Sequence, residues 1–405
     1  MHINNIDLPG RRFNGCDLQK VLNANNIESK QFVMEKLGDD INVIPIVETQ
    51  LSNVIRKKCI ELEDKLSIQS QIYPFGEIIG EHQDFKTADI VHYHLIFNHF
   101  MSLTTFKKLV KMKKSVWTIH DPWAMTGHCV YPVECNKWLE GCKECPNLDR
   151  YSPLRVDNSS VNWNIKKSIY EDLDLDIIVA SQWMYNLVKK SPLMKNFKKI
   201  HIVPFGIDLD IFKNVENKKE VRIKNQIPTD NFVIMFREDP QEWKGLEEIK
   251  NMLRKLNPAI PVTILTVGGT GLLKEFEGKY DIREYGWVND DNLMAKLYSM
   301  TDLFLMPSVA EAFGLMAIEA MASSIPIIVL EGTSLPSVTF APEYGIAVQR
   351  GEAENFVAHV ERLILNPHEC RRRGKLGREL AEKHYDVNKY NKRMIQLYKE
   401  IYGRK

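Results

Sequence analysis

Short apolar runs that do not alternate with polar residues constrain this chain most. DIVHYH, SVWTIH, DIIVAS and IHIVPFG occur in the first half; FVIMF, VTILTV, LFLMP and IPIIVL occur in the second. Each is rich in β-branched or aromatic residues and stops at polar or turn residues, which reads as a buried strand. A strand apolar on both sides must be covered on both faces. Helical patterns lie between the runs. The clearest spans 244–256, where Leu246, Ile249, Met252, Leu253 and Leu256 recur at three- and four-residue steps. Such alternation predicts an α/β protein of parallel sheets covered by helices. At 405 residues the chain exceeds one ordinary domain and suits two of about 200 residues each. A composition of 44% hydrophobic and 26% charged residues can supply both cores.

The pattern restarts after IHIVPFGID. Residues 209–230 are polar and carry little core signal, so they read as a connector. The expected division is a first domain over 1–210 with a cysteine-rich insert at 127–146. A second domain follows over 211–384, and a terminal helix over 385–405. That helix carries Tyr390, Met394, Leu397 and Ile401 on one face and is expected to cross back to the first domain. In open parallel sheets, ligands gather beyond the carboxyl ends of the strands.

At such an end, after LFLMP, stands PSVAEAFGLMAIEAMASSIPIIVL, residues 307–330. A helix is expected from about Gly314 to Ser323. The amides at its start, near Phe313, Gly314 and Leu315, form a natural anion site. Glu311 precedes the helix, as a cap or as a ligand for sugar hydroxyls. Glu319 is the one charge within the apolar stretch 315–322, either ion-paired in the domain or accepting hydroxyls. After FVIMF come Arg237 and Lys244. They are either solvated surface cations or a fork and a point charge for a diphosphate. A turn at 286–293 places Gly286 and the backbone of Val288 where a nucleobase could lie, with Trp287 read as core. The turn VGGTG at 267–271 lacks the spacing of a dinucleotide fingerprint.

The segment from Glu311 to Glu319 is an E-x7-E motif. With Arg237, with Lys244-Gly245 and with Gly286-Trp287-Val288, it resembles the donor site of the large retaining glycosyltransferase family numbered four, in order and rough spacing. The likeness is good over 230–340 and looser over nearly the whole chain. It implies the GT-B fold, two Rossmann-like domains facing across a cleft. It also implies that Arg237 and Lys244 bind the donor diphosphate, that Glu311 contacts the donor sugar and Glu319 the ribose, and that the turn at Gly286 meets the base. Two departures bear on donor-sugar identity. The usual glycine pair followed by Pro-Glu appears as Glu331-Gly332-Thr333-Ser334-Leu335-Pro336-Ser337, and FREDP lacks a preceding glycine.

In the first half SVWTIH ends at His120-Asp121. A histidine there can hydrogen-bond a sugar or a reacting centre, or be a structural residue held by Asp121. By resemblance His120 lies near the transferred sugar and is the catalytic candidate beside Glu311. His94 is a second lining residue. The loop Leu8-Pro-Gly-Arg-Arg-Phe-Asn-Gly15 is either a solvated loop or, by resemblance, one that closes over donor phosphates and acceptor through Arg11, Arg12 and Gly15.

Seven cysteines, an odd number, argue against a disulfide framework. Cys129, Cys135, Cys142 and Cys145 cluster, and the last pair has the C-x2-C spacing of zinc sites. Structural zinc, free thiols and a disulfide are all open readings. The block resembles one in bacterial enzymes that build surface polysaccharides.

Lys and Arg number 54 against 53 Asp and Glu, a balance that does not suit nucleic acid as a partner. No apolar run reaches 18 residues and no secretion signal opens the chain. A cytoplasmic protein follows, one that could touch the inner face of the membrane peripherally. The expected activity is transfer of a sugar from UDP or GDP to a glycan or polyprenyl-diphosphate-linked acceptor; the family resemblance implies that it proceeds with retention and without a catalytic metal. The alternatives are another GT-B enzyme, such as a sugar-nucleotide epimerase, and a non-catalytic binding paralogue. The runs DLDLD (172–176) and DLD (208–210) mimic a metal-binding D-x-D. The first leads into a strand and the second lies in the connector, so neither supports that chemistry.

Overall fold

The computed structural model describes residues 1–404 except 9, 48, 151, 215 and 216. Pro9 of the basic loop, Val215 and Glu216 of the connector and Lys405 of the last helix lie outside the described residues. Two compact units emerge: Met1–Phe205 together with the C-terminal segment from Tyr390, and Gly206–Lys389.

The first unit holds a seven-stranded parallel sheet. Its strands are β1 (His2–Ile6), β2 (Gln31–Glu35), β3 (Val43–Pro45), β4 (Ile90–Tyr93), β5 (Lys114–Thr118), β6 (Asp176–Val179) and β7 (Ile200–Ile202), in the order β3-β2-β1-β4-β5-β6-β7. The order reverses between β1 and β4, where a crevice for ligands opens beyond the strand ends. Asp176, the last residue of DLDLD, is the first residue of β6; it is clasped by Arg404 at 2.7 Å and His201 at 2.6 Å. A group so paired is a structural anchor. The helix Val387–Gly403 buries Tyr390, Met394, Leu397, Tyr398 and Ile401. The Tyr398 hydroxyl lies 2.6 Å from His92 Nδ1 on β4.

The second unit holds six parallel strands: β8 (Phe232–Glu238), β9 (Val262–Gly268), β10 (Asp281–Glu284), β11 (Leu303–Met306), β12 (Ile327–Leu330) and β13 (Ile346–Val348). Their order, β10-β9-β8-β11-β12-β13, reverses between β8 and β11. Phe232, Ile234 and Phe236 of β8 meet Leu246, Ile249, Met252, Leu253 and Leu256 in one core. Those five side chains are the apolar stripe read from the sequence, and each contributes about 1.5–3 kcal/mol on burial. The helix itself covers Leu246–Lys255.

The supposed connector contains a helix, Lys218–Lys224. Arg222, buried in it, donates to the Met300 carbonyl at 2.7 Å and to Asp302 at 2.5 Å. Lys218 reaches the Thr301 carbonyl at 2.6 Å and Asp302 at 3.0 Å, so two cations tie the segment to the second sheet, which an apolar count cannot register. No helix among the described residues is long and apolar enough to cross a membrane.

Candidate active site

At the switch point of the second unit, β8 runs one residue past Arg237, so this residue ends a strand rather than opening a loop. Its guanidinium pairs with Asp239 at 2.6 Å and lies 5.2 Å from the Trp287 ring. Its Nε is buried without a hydrogen-bond partner. Trp287 is 65% exposed, not core as expected. It follows the polar edge strand β10, and its Nε1 donates to Asn289 at 2.6 Å. Stacking on Arg237, rather than burial, holds the ring.

Glu238, fully buried, was not anticipated. Its carboxylate accepts from the Thr266 hydroxyl at 2.8 Å and the Leu272 amide at 2.6 Å. Burial, with Glu284 nearby, raises its pKa. Glu284 in turn accepts from the Gly271 amide at 2.8 Å. The Gly268 amide donates to the Gly286 carbonyl at 2.7 Å. Two carboxylates thus hold the glycine turn beside Arg237, and Gly286 sits at φ 63° with half-buried Val288 following. The sequence signal was the charged triplet Arg237-Glu238-Asp239 closing an apolar strand.

The loop after β8 is set by Gly245, at φ 75°. A Cβ there would fall 1.8 Å from the Pro307 carbonyl oxygen, at the end of β11. The close approach delivers Lys244 Nζ to within 3.1 Å of Glu311 Oε2, both side chains largely buried. Gly314, at φ 95°, caps the helix Leu315–Ala322. A Cβ on it would meet Leu335 at 2.5 Å and the Glu311 Cγ at 3.5 Å. Phe313 packs edge-on against Tyr385. Lys244, Glu311 and the helix start at Gly314 therefore lie side by side. In the first turn of that helix the Ala317 amide donates to the Gly314 carbonyl at 3.1 Å, while the amides of Leu315 and Met316 have no acceptor within the helix. Glu319, 1% exposed, accepts a hydrogen bond from the Tyr298 hydroxyl at 3.0 Å.

In the first unit three histidines gather: His2 opens β1, and His94 and His120 follow the ends of β4 and β5. His2 Nδ1 lies 3.1 Å from His94 Nε2, and His94 Nδ1 lies 3.3 Å from His120 Nε2. Burial holds all three pKa values below the usual imidazole range, His120 at about 3. Asp121 does not hold His120. It accepts from the Trp123 amide at 2.9 Å, and burial raises its pKa to about 7. Residues 10–15 are tied into the unit by hydrogen bonds and an ion pair. Asn14, buried, donates to the carbonyls of Ile6 and Asp7 at 2.9 and 2.7 Å. Arg11 pairs with Asp17 at 2.5 Å. Arg12 is half-buried in the same turn. Gly15, at φ 91°, rests on the rings: a Cβ would stand 2.6 Å from both His2 Nδ1 and His94 Nε2.

Cys129, Cys135, Cys142 and Cys145 form no disulfide with one another. The Gly127 amide donates to Cys142 Sγ at 3.1 Å, and His128 Nε2 lies 3.2 Å from Cys145 Sγ. Burial pushes the Cys129 thiol up to about 12 and Cys142 to about 11. Their thiolates repel one another, which places the four in one neighbourhood. Among the described residues no three of these sulfurs lie within 4.8 Å of one another. The donor set fits zinc in kind, and a tetrahedral shell with bonds of about 2.3 Å requires the sulfurs to close up.

Residues 217–380 match the family described as "Glycosyl transferases group 1". An uncharacterized 41.2 kDa protein in the cps region of Klebsiella pneumoniae is 25% identical over 322 residues, 78% of this chain and 79% of that protein. For several other curated relatives the chain spans 22% to 50% of their length. Sucrose-phosphate synthase from Thermosynechococcus elongatus superposes with a TM-score of 0.74 at 19% identity, covering 99% of each chain. Anabaena HepE, solved with UDP-glucose, gives 0.64 at 13% identity, covering 99% of this chain and 100% of that one. Residues 217–380 thus form a Glycosyl transferases group 1 domain, and the chain is a two-unit protein of the GT-B fold.

Proposed function

We propose that the chain transfers a glycosyl unit from a UDP- or GDP-sugar to a glycan or polyprenyl-diphosphate-linked acceptor, with retention, in the assembly of surface polysaccharide. The observation that carries this reading is the meeting of Lys244, Glu311 and the helix start at Gly314 at the carboxyl edge of one sheet, with Arg237 ending the neighbouring strand. Two cations and a helix N-terminus together suit a diphosphate. HepE, the neighbour solved with UDP-glucose, supports a nucleotide sugar as donor. The Klebsiella relative in the cps region supports the pathway.

In this reading Arg237, Lys244 and the amides near Phe313, Gly314 and Leu315 bind the donor diphosphate and stabilise it as it departs. That electrostatic contribution commonly dominates such catalysis. Glu311 orients Lys244 and contacts the sugar, whose ring carries oxocarbenium-like charge as the bond loosens. Glu319 serves the ribose, with Tyr298 fixing one carboxylate oxygen. Gly286 and Val288 line the base, and Trp287 extends that wall. His120 offers a ring nitrogen to the transferred sugar. Arg11, Arg12 and Gly15 shape the turn next to it. No metal takes part in the transfer step; zinc at the four cysteines would brace their loop. A lipid-linked acceptor implies peripheral contact with the inner face of the membrane.

A thermal-shift screen against UDP-, GDP- and ADP-sugars tests this. One donor class should raise the melting temperature, and Glu311→Ala should abolish the part that depends on the sugar while the free nucleotide still stabilises. An equal response of wild type and variant to every donor removes the assignment of Glu311. Release of nucleotide only when an acceptor glycan is added separates transfer from epimerisation and from mere binding.

A further inference from the structure

Three imidazoles in the first unit form a chain of ring-nitrogen contacts that ends at His120. His2 Nδ1 faces His94 Nε2 at 3.1 Å, and His94 Nδ1 faces His120 Nε2 at 3.3 Å. Their backbones are fixed by the parallel ladder. The His2 amide donates to Lys30, the His94 amide to Ile3, and Trp117 Nε1 to the His94 carbonyl at 3.2 Å. Gly15 closes over the His2–His94 pair, leaving no room even for a methyl group. Burial keeps all three rings neutral at neutral pH.

A neutral imidazole carries one N–H and one lone pair, on different nitrogens. In such a chain the tautomers are therefore locked together: either all three protons sit on Nδ1 or all three sit on Nε2. The second arrangement would leave His2 Nε2–H as the last donor. Among the described residues no acceptor meets that atom, and His2 is 1% exposed. A buried N–H without an acceptor costs more than a buried lone pair on a ring nitrogen. The Nδ1–H arrangement avoids that cost. In it His2 donates to His94, His94 donates to His120 Nε2, and the His120 Nδ1–H is left for a ligand. Among the described residues no protein group meets His120 Nδ1.

We propose that His2 and His94 are positioning residues that fix His120 in its Nδ1–H form, so that His120 meets its ligand as a hydrogen-bond donor and not as a base. The proposal rests on His120 facing the transferred sugar. There it would donate to a sugar oxygen without taking a proton. A metal held by His2, His92 and His94, whose ligand atoms lie within 4.8 Å of one another, is the weaker reading. Both His92 nitrogens are already engaged by the hydroxyls of Tyr398 and Thr118, at 2.6 and 2.7 Å.

Long-range proton–nitrogen NMR on the full chain, with 15N-labelled histidine, reads each tautomer directly. Wild type should show His120 protonated on Nδ1. His94→Ala should release it to the Nε2–H form or to a mixture, and His94→Asn, whose amide can reproduce the lost donor, should restore it. His2→Ala, which touches His94 but not His120, should also shift His120, as a purely structural role would not. Nucleotide release from UDP-glucose or GDP-mannose should lose kcat tenfold or more in His94→Ala with KM little changed. An Nε2–H His120 in wild type, or a tautomer indifferent to His94 and His2, overturns the proposal. So does a stoichiometric metal that is lost in His2→Ala. If the tautomers respond as stated while His120→Ala retains full turnover, the relay stands and the placement of His120 at the sugar falls.

Discussion

Lys244 and Glu311 are 67 residues apart in sequence and 3.1 Å apart in the fold. The pair illustrates how a backbone constraint becomes chemistry. Gly245 alone permits the contact of its loop with Pro307, and that contact points the lysine inward. If the ammonium stabilises a departing diphosphate, Lys244→Ala should lower kcat by about 10²–10³, the usual cost of removing one donor from developing negative charge. Steady-state kinetics with the donor found by thermal shift would check it. A loss confined to KM would reduce Lys244 to a ground-state binder. Both members of the pair were legible because charges beside glycine at a strand end stand out from apolar surroundings. Asp239 and Glu238 were not. Their roles depend on partners at Arg237, Thr266 and Leu272, and spacing along the chain does not reveal those. Trp287 was misread for a related reason. Aromatic character usually signals burial, and here a guanidinium supplies the packing partner.

At the scale of elements, the strands with unbroken apolar runs were plain and the edges were not. β10, read as DIRE, is polar because edge strands face water along one side. β3 has three residues, too few for any periodicity. The helix Lys218–Lys224 is anchored through Arg222 and an ion pair, so its hydrophobic signal is negligible. The cysteine loop lies at the same scale. Its short 3-10 turn, Lys137–Leu139, and the one that precedes it, Pro122–Met125, give little regular hydrogen bonding to hold it. Thiols pushed up by burial become ligands only when a cation draws off their protons. Purified chain is expected to carry about one zinc, the stoichiometry of a single tetrahedral site. Elemental analysis should show its loss in Cys145→Ser, with a lower melting temperature on chelation in wild type alone. Metal-free protein whose melting temperature ignores both zinc and chelator would return the loop to plain thiols.

For the molecule as a whole, the titrating groups are distributed unequally. His2, His92, His94 and His120, all in the first unit, have folded pKa values lowered from 6.5 by burial. A histidine with a depressed folded pKa favours the fold above 6.5. It loses that contribution as pH falls, because the unfolded chain takes up a proton that the folded chain refuses. Asp121, raised from 3.8 to about 7, acts the other way: its neutral form favours the fold at low pH. The depressed imidazoles outnumber Asp121, and burial lowers His128 of the same unit as well, so below pH 6.5 the unfolded chain takes up more protons than the folded one and stability falls with pH. In the second unit partial burial lowers the pKa of His359, and none of the described histidines there is fully buried, so it should resist acid better. Calorimetry of the full chain from pH 7.5 to 5.0 should therefore split one melting transition into two, the first unit falling steeply and the second little. The early transition should be the one that exposes the environment of Trp117 and Trp123, buried beside this cluster. A single transition that shifts by only a few degrees would mean that the four imidazoles take up protons within the fold, and that their burial does not govern the acid limit of the chain.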